Sequence, residues 1–356
     1  MTAVIKVDLI SDTATRPSAA MLAAMAAAPT GDEQLNEDPT VLALLGRSAD
    51  LLGQEAAVFL PTGTMCNQIS LLVHCRPGDE IVAGFNTHIH GSEGAGAAAL
   101  AGALIYPVPT ATGIFTAADV AAAARPLRQR SPRTRVVAIE QTTNRGGGRV
   151  WPLEMLQAVS AEARKRGFAV HMDGARLMNA VIASGVPAAD YGRLCDSVWL
   201  DFTKGLACPV GAVLAGSKDF IAEAWFWKHR LGGAMRQAGV LAAAALHALD
   251  NHVERLAEDH VNARLFGSLA TMVPGVAIDP PEVETNIVFL DVTGTGLAAI
   301  AINEALKRRG VRLNVEGPHR LRAVTHRDVT RAGIEEAGAS LAAVVAELAG
   351  QPQPLR

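Results

Sequence analysis

The sequence predicts an α/β fold: a mostly parallel β-sheet between layers of helices, followed by a smaller α+β domain. Three observations carry this. Short apolar runs alternate with helix-like stretches from Ala56 to Ala215. The runs show little polar alternation, which suits strands buried on both faces. From about Ala238 the texture changes to an alanine-rich helical stretch, and a second, shorter set of strands follows.

Taken in order, AAVFL (56–60) reads as the first strand, and FLPTGTMCNQISLLV continues it through a small-residue turn into a helix with Met65, Ile69, Leu72 and Val73 at helical spacing. EIVAG (80–84) leads into an Ala/Gly-rich helix. ALIYPV (103–108), RVVAIE (135–140), FAVHMD (168–173) and SVWLDF (197–202) are further strands, and Ala212 to Ala215 form another short one. Beyond them, AGVLAAAALHALDNHVERLAEDHVNARLFGSLATMV is read as one long helical stretch leading out of the first sheet. TNIVFLDV, the amphipathic helix IAINEALKRRG, VRLNV, LRAVTH and a closing Ala-rich helix make the smaller domain, and QPQPLR is a tail.

At 356 residues the chain is long enough for about two domains with a substantial core. The net charge of −3 has both signs interspersed, which removes the electrostatic reason to expect nucleic acid or an anionic membrane. The N-terminal MTAVIKVDLISD lacks the pattern of a signal peptide, and the longest Ala-rich run is broken by glycines. The expectation is a cytoplasmic protein with a small-molecule partner. Cys66, Cys75, Cys195 and Cys208 show no metal or CxxC spacing and read as reduced packing residues.

In a parallel sheet, ligands bind beyond the carboxyl ends of the strands. Three sites there draw notice. Lys204 lies in a turn between two apolar runs, with Gly205, Pro209 and Gly211 around it. Asp173 ends the FAVHMD strand before Gly174. The PTGT turn leaves the N–H groups of Gly63, Thr64 and Met65 at a helix start, where a phosphate would bind. Alone, each has a plain explanation: an exposed turn lysine, Asp-Gly turn chemistry, and a threonine helix cap. Together they describe one ligand, with a phosphate, a ring nitrogen kept protonated by an acid, and an aldehyde that condenses with an amine. That ligand is pyridoxal 5′-phosphate. Apolar walls around Lys204 would lower its pKa and so activate the amine.

DLISDTATRPSAAMLAAM, GDEQLNEDPTV, FLPTGTMCNQ, THIHGSEGAGAAALAG, VHMDGARLMNAVIASGV, DSVWLDFTKGL and RLGGAMRQAGVLAAAALHAL resemble, in order over nearly the whole chain, the L-threonine aldolase family within the β-eliminating lyases. The resemblance implies an aspartate-aminotransferase-like fold (PLP fold type I) whose large domain has a seven-stranded, mostly parallel sheet. It implies an N-terminal arm over 1–20 that contributes to the active site, a PLP-binding domain over 21–245, a small domain over 246–350 and a tail over 351–356. Lys204 matches the Schiff-base lysine, Asp173 the pyridinium partner, and Gly63 and Thr64 the phosphate turn. His88 matches a histidine stacked on the ring, sometimes assigned as catalytic base. Arg176 is similar to an arginine near the cofactor hydroxyl and substrate carboxylate, and Ser11 and Arg322 match carboxylate-binding positions. Asn67 and Gln68 are further pocket candidates. Arg230 and Arg236 read either as surface charges or as residues that reach the phosphate of a neighbouring subunit, since the resemblance implies active sites shared in homodimers or homotetramers. No carboxylate or third histidine completes His88 and His90 as a metal pair, and the glycines at 146–148 read as a flexible turn.

The implied reaction is cleavage of the Cα–Cβ bond of a β-hydroxy-L-amino acid such as L-threonine or L-allo-threonine, giving glycine and an aldehyde. Two positions depart from the family's common pattern. Leu35 stands where a tyrosine is usual, and Thr143 where a second active-site histidine is usual. These departures keep a second reaction in view: β-elimination from a β-substituted amino acid, giving a keto acid and ammonia.

Overall fold

The computed structural model describes residues 4–350. The tail read at 351–356 lies outside the described residues. The chain divides into two compact units, one of residues 16–253, the other joining the stretch up to Thr15 to the segment from Glu254.

The larger unit is built on a seven-stranded sheet. Its strands are β1 (Ala56–Leu60), β2 (Asp79–Gly84), β3 (Leu104–Val108), β4 (Arg133–Glu140), β5 (Ala169–Asp173), β6 (Ser197–Asp201) and β7 (Ala212–Gly216). In space the order is β1-β7-β6-β5-β4-β2-β3. β7 is antiparallel to both its neighbours, and the other pairings are parallel. Each strand falls within two residues of its apolar run, and the mostly parallel sheet agrees with the reading. Every residue of β2, β6 and β7 is buried, as central strands covered on both faces require. Helix α1 (Gly63–His74) follows β1. The Thr62 hydroxyl accepts a hydrogen bond from Met65 N and so caps it, while Ile69 and Cys66 pack with Trp199, Val58 and Leu214.

The long helical stretch read from Ala238 onward is two helices, Gly239–Asn251 and Leu256–Thr271. The break at 252–255 coincides with the boundary between the units. No glycine or proline marks it in the sequence. It is held by His252, whose Nδ1 lies 2.8 Å from the Leu206 carbonyl oxygen.

The smaller unit has a four-stranded antiparallel sheet in the order Asn314–Gly317, Arg320–Val324, Ile287–Asp291, Ala277–Ile278. Helices Leu256–Thr271, Ala299–Arg308 and Arg331–Ala349 close one apolar core with it. The run VRLNV is split at Leu313: Val311–Arg312 pairs in parallel with Val7–Asp8, while the strand from Asn314 joins the other sheet. Leu313 itself is buried, and its N–H donates to Asn303 Oδ1 at 3.1 Å.

Candidate active site

Successive strand residues point to opposite faces of a sheet. On β5 this puts His171 and Asp173 on one face, and on β6 Ser197, Trp199 and Asp201, with Val170, Met172, Val198 and Leu200 on the other. The polar face lies under α1, and one side chain of that helix gathers it. Asn67 Oδ1 accepts from Trp199 Nε1 (2.7 Å) and from His171 Nε2 (3.0 Å). Asn67 Nδ2 donates to Asp173 Oδ2 (2.8 Å) and to Glu93 Oε1 (2.7 Å). Every hydrogen-bonding capacity of this fully buried amide is used.

Around it is a group of acids. Glu93, its side chain wholly buried, also accepts from His88 Nδ1 at 2.8 Å and from Gln68 Nε2. Burial pushes the Asp173 carboxyl up; the hydrogen bond from Asn67 and the charges of His88 and Lys204 oppose this. The hydrogen bond to Glu93 raises the His88 imidazole above its usual value. Glu140, at the end of β4, accepts from His88 N (2.7 Å) and Asn144 N (2.6 Å); burial and then Asp173 push it up to about 7. The ligating atoms of His88, Glu93 and Asp173 lie within 4.8 Å of one another. A carboxylate therefore does stand beside His88, contrary to the reading from the HxH pair, while His90 Nδ1 lies 2.6 Å from the Phe85 carbonyl oxygen.

Trp199 joins this cluster to the other two predicted sites. At Gly63 a Cβ would lie 2.2 Å from the indole ring, so only glycine lets α1 start this close to the strand. The N–H groups of Gly63 and Thr64 have no partner among the described residues, because Thr62 caps Met65 N and Cys66 N turns back to Thr62 O. At Gly174 a Cβ would lie 1.8 Å from the Trp199 carbonyl oxygen. Lys204 Nζ lies 5.7 Å from the centre of the Trp199 indole. Its amine also meets the Asp201 carboxylate, which Thr203 holds through N–H (3.0 Å) and Oγ1 (2.8 Å). The lysine is thus paired with a buried acid rather than walled only by apolar groups. Burial raises the Cys208 thiol far above its usual value, which suits a packing residue.

Arg176 is buried at the start of helix Leu177–Ser184, and its N–H donates to the Gln141 carbonyl at 3.1 Å. Ser11 and Arg322 both belong to the smaller unit, where they come together. The Ser11 hydroxyl caps the turn Asp12–Ala14, and Arg322 Nη2 reaches the carbonyl of the adjacent Ile10 at 3.5 Å. Arg322 Nη1 also pairs with Glu316 at 3.3 Å. Arg236 pairs with Asp32 (2.7 Å), and Arg230 lies over Trp227. Leu35 is 64% exposed, whereas Thr143 is buried. The glycines after Thr143 form a packed turn, not a loose one: Thr143 bridges Arg149, and a Cβ at Gly146 would lie 1.9 Å from the Thr112 carbonyl oxygen.

Sequence reasoning missed Glu93, Glu140, His171, Trp199 and Asp201. Two of them carried a usable signal: Glu140 ends its strand as Asp173 does, and Glu93 stands five residues after His88.

The donor set fits pyridoxal phosphate. Asp173 offers an acid, Lys204 an amine, His88 a partly exposed imidazole, and the glycine-led start of α1 two unused N–H groups. A family model for β-eliminating lyases matches residues 8–293. The chain belongs to the β-eliminating lyase family. Within it, the chain is similar to a low-specificity L-threonine aldolase of Escherichia coli K12, 41% identical over 96% of this chain and 99% of the relative. It is also similar to low-specificity L-threonine aldolase 1 of Arabidopsis thaliana, 38% identical over 92% of this chain and 93% of the relative. In fold, this β-eliminating lyase is similar to a threonine aldolase of Leishmania major, with a TM-score of 0.80, 20% identity, and coverage of 97% of this chain and all of that one. The family is one of PLP-dependent lyases, and the fold is of the type expected.

Proposed function

We propose that this lyase cleaves the Cα–Cβ bond of a β-hydroxy-L-amino acid of the threonine type, releasing glycine and an aldehyde. The observation that carries the proposal is the near full-length similarity, at 38–41% identity, to low-specificity L-threonine aldolases. Pyridoxal phosphate, when bound, supplies the electron sink that takes up the electrons of the breaking bond.

The chain's own residues do the rest. Lys204 would hold the cofactor's aldehyde, Asp173 its ring nitrogen, the Gly63 and Thr64 N–H groups its phosphate, and His88 and Arg176 its ring and hydroxyl. By the family resemblance, Ser11, Arg322 and Arg176 would each serve the substrate carboxylate. Fixing that group would set which bond at Cα is presented for cleavage. The nearest acceptor for the Lys204 ammonium proton is the Asp201 carboxylate. His88 donates from Nδ1 to Glu93, so Nε2 carries the lone pair that takes the β-hydroxyl proton. The site is shared within a homodimer or homotetramer of a cytoplasmic protein. No helix among the described residues is long and apolar enough to cross a membrane.

The test is product analysis. Holoenzyme incubated with L-threonine, L-allo-threonine and L-phenylserine should yield glycine with the matching aldehyde. A keto acid with ammonia, and no glycine, would assign β-elimination instead.

A further inference from the structure

We infer that Asn67 is a positioning residue for the cofactor acid: Trp199 and His171 lock its amide so that its two N–H groups fall on Glu93 and Asp173, separating the two carboxylates and keeping Asp173 anionic. The inference rests on the PLP reading of Asp173 and extends it to residues that do not touch the ligand.

The locking can be followed bond by bond. An indole N–H only donates, so the 2.7 Å contact with Trp199 Nε1 fixes which end of the Asn67 amide is oxygen. His171 Nε2, 3.0 Å from that oxygen, must then be the donor. The neutral ring accepts at Nδ1, where Ser197 Oγ lies at 2.9 Å and gives its proton. Ser197 Oγ in turn accepts from His74 Nε2 at 2.9 Å. A one-way chain therefore runs His74, Ser197, His171, Asn67. Burial holds both imidazoles neutral, His74 lowered to about 4 and His171 to about 3, so the chain keeps its direction across ordinary pH.

Two buried carboxylates this close would otherwise share a proton. An amide with one N–H on each, at 2.7 and 2.8 Å, removes the need. Asp173 Oδ1 also accepts from Ala175 N at 3.0 Å, so each oxygen of the acid receives one N–H and keeps a lone pair. The other titratable groups that bear on this acid are His88, Glu140, Lys204 and the buried Cys66 thiol, with Asp201 beside the lysine.

The experiment measures, for wild type, N67L and S197A, the affinity for added pyridoxal phosphate and the pH dependence of the bound cofactor's visible absorbance. N67L, close in size and unable to hydrogen-bond, should bind the cofactor about tenfold to a hundredfold more weakly, the worth of a hydrogen bond to a charged group. Its absorbance transition should move away from the wild-type pH, because a protonated Asp173 no longer stabilises a protonated ring nitrogen. S197A, which breaks the chain at its middle, should move both readouts the same way by less. A merely structural Asn67 would lower the melting temperature of the apoprotein and leave the absorbance transition in place. N67L loading and titrating like wild type would overturn the inference, as would an unmoved transition in S197A if N67L does not fold. A wild-type protein that takes up no cofactor would instead overturn the PLP reading beneath it.

Discussion

Two of the polar clusters buried in the larger unit are built on opposite principles. Lys228 and Glu33 have no exposed side-chain surface, and Lys228 Nζ donates to both Glu33 oxygens at 2.8 Å. Met235 N completes the acid's coordination, and Trp225 lies 4.3 Å from the ammonium. One positive charge meets one negative charge, and the pair is closed. The cluster around Asn67 is not. Asp173 and Glu93 share one neutral amide, Glu140 is pushed up to about 7 by burial and then by Asp173, and His88, 36% exposed, is the titratable base hydrogen-bonded to Glu93. A balanced pair ties chain segments together, here the turn at 33–35 to the helix Lys218–Arg230. An unbalanced one has charge to spare for a cation from outside, as the proposed protonated heterocycle would be.

Five substitutions, in four experiments, test the contrast. Lys204→Arg should reduce glycine release to background while leaving the fold intact, seen as an unchanged circular dichroism spectrum, and borohydride should no longer fix the cofactor to the chain. Lys228→Met strands Glu33 in the interior and should cost about 3–5 kcal/mol in urea unfolding; adding Glu33→Leu should restore most of it, as expected for a pair with no role beyond closure. Glu93→Gln should act on the pH profile. Glu93 holds a proton on His88, and only the unprotonated ring accepts one from substrate. Removing that charge lowers the His88 pKa, and the rising limb of kcat should move to lower pH. An unmoved limb would remove His88 from the role of base. The smallest effect should come from Ala207→Gly. Ala207 holds φ at +65°, a left-handed backbone that costs a residue with a Cβ about 1–2 kcal/mol, partly offset by glycine's extra unfolded freedom. A gain of about 1 kcal/mol or less in unfolding free energy is expected.

Much of the fold was legible because buried strands announce themselves as apolar runs, and all seven strands of the large sheet did. The helix break at 252–255 was not, because a carbonyl contact from His252 makes it and no breaker residue does. The anchors of the candidate site were legible where a residue type stands alone in unlikely surroundings, as Lys204 and Asp173 do. Their supports were hidden by the same apolar runs. Ser197, Trp199 and Asp201 alternate within SVWLD, a strand buried on both faces, so the usual sign of alternation, one wet face, was missing. Glu93 lay in a glycine-rich segment with no element to place it.

The loop that carries Lys204 links the last parallel strand to the single antiparallel one, so it turns straight back into the sheet instead of running out into a helix. It is stitched across itself by Cys208 N to Phe202 O (2.8 Å) and Ala207 N to Lys204 O (2.9 Å), and to β1's end by Gly211 N to Pro61 O (3.1 Å). The Lys204 nitrogen therefore rides on a clamped base, and its travel is the swing of four methylenes, a hinge confined to one side chain.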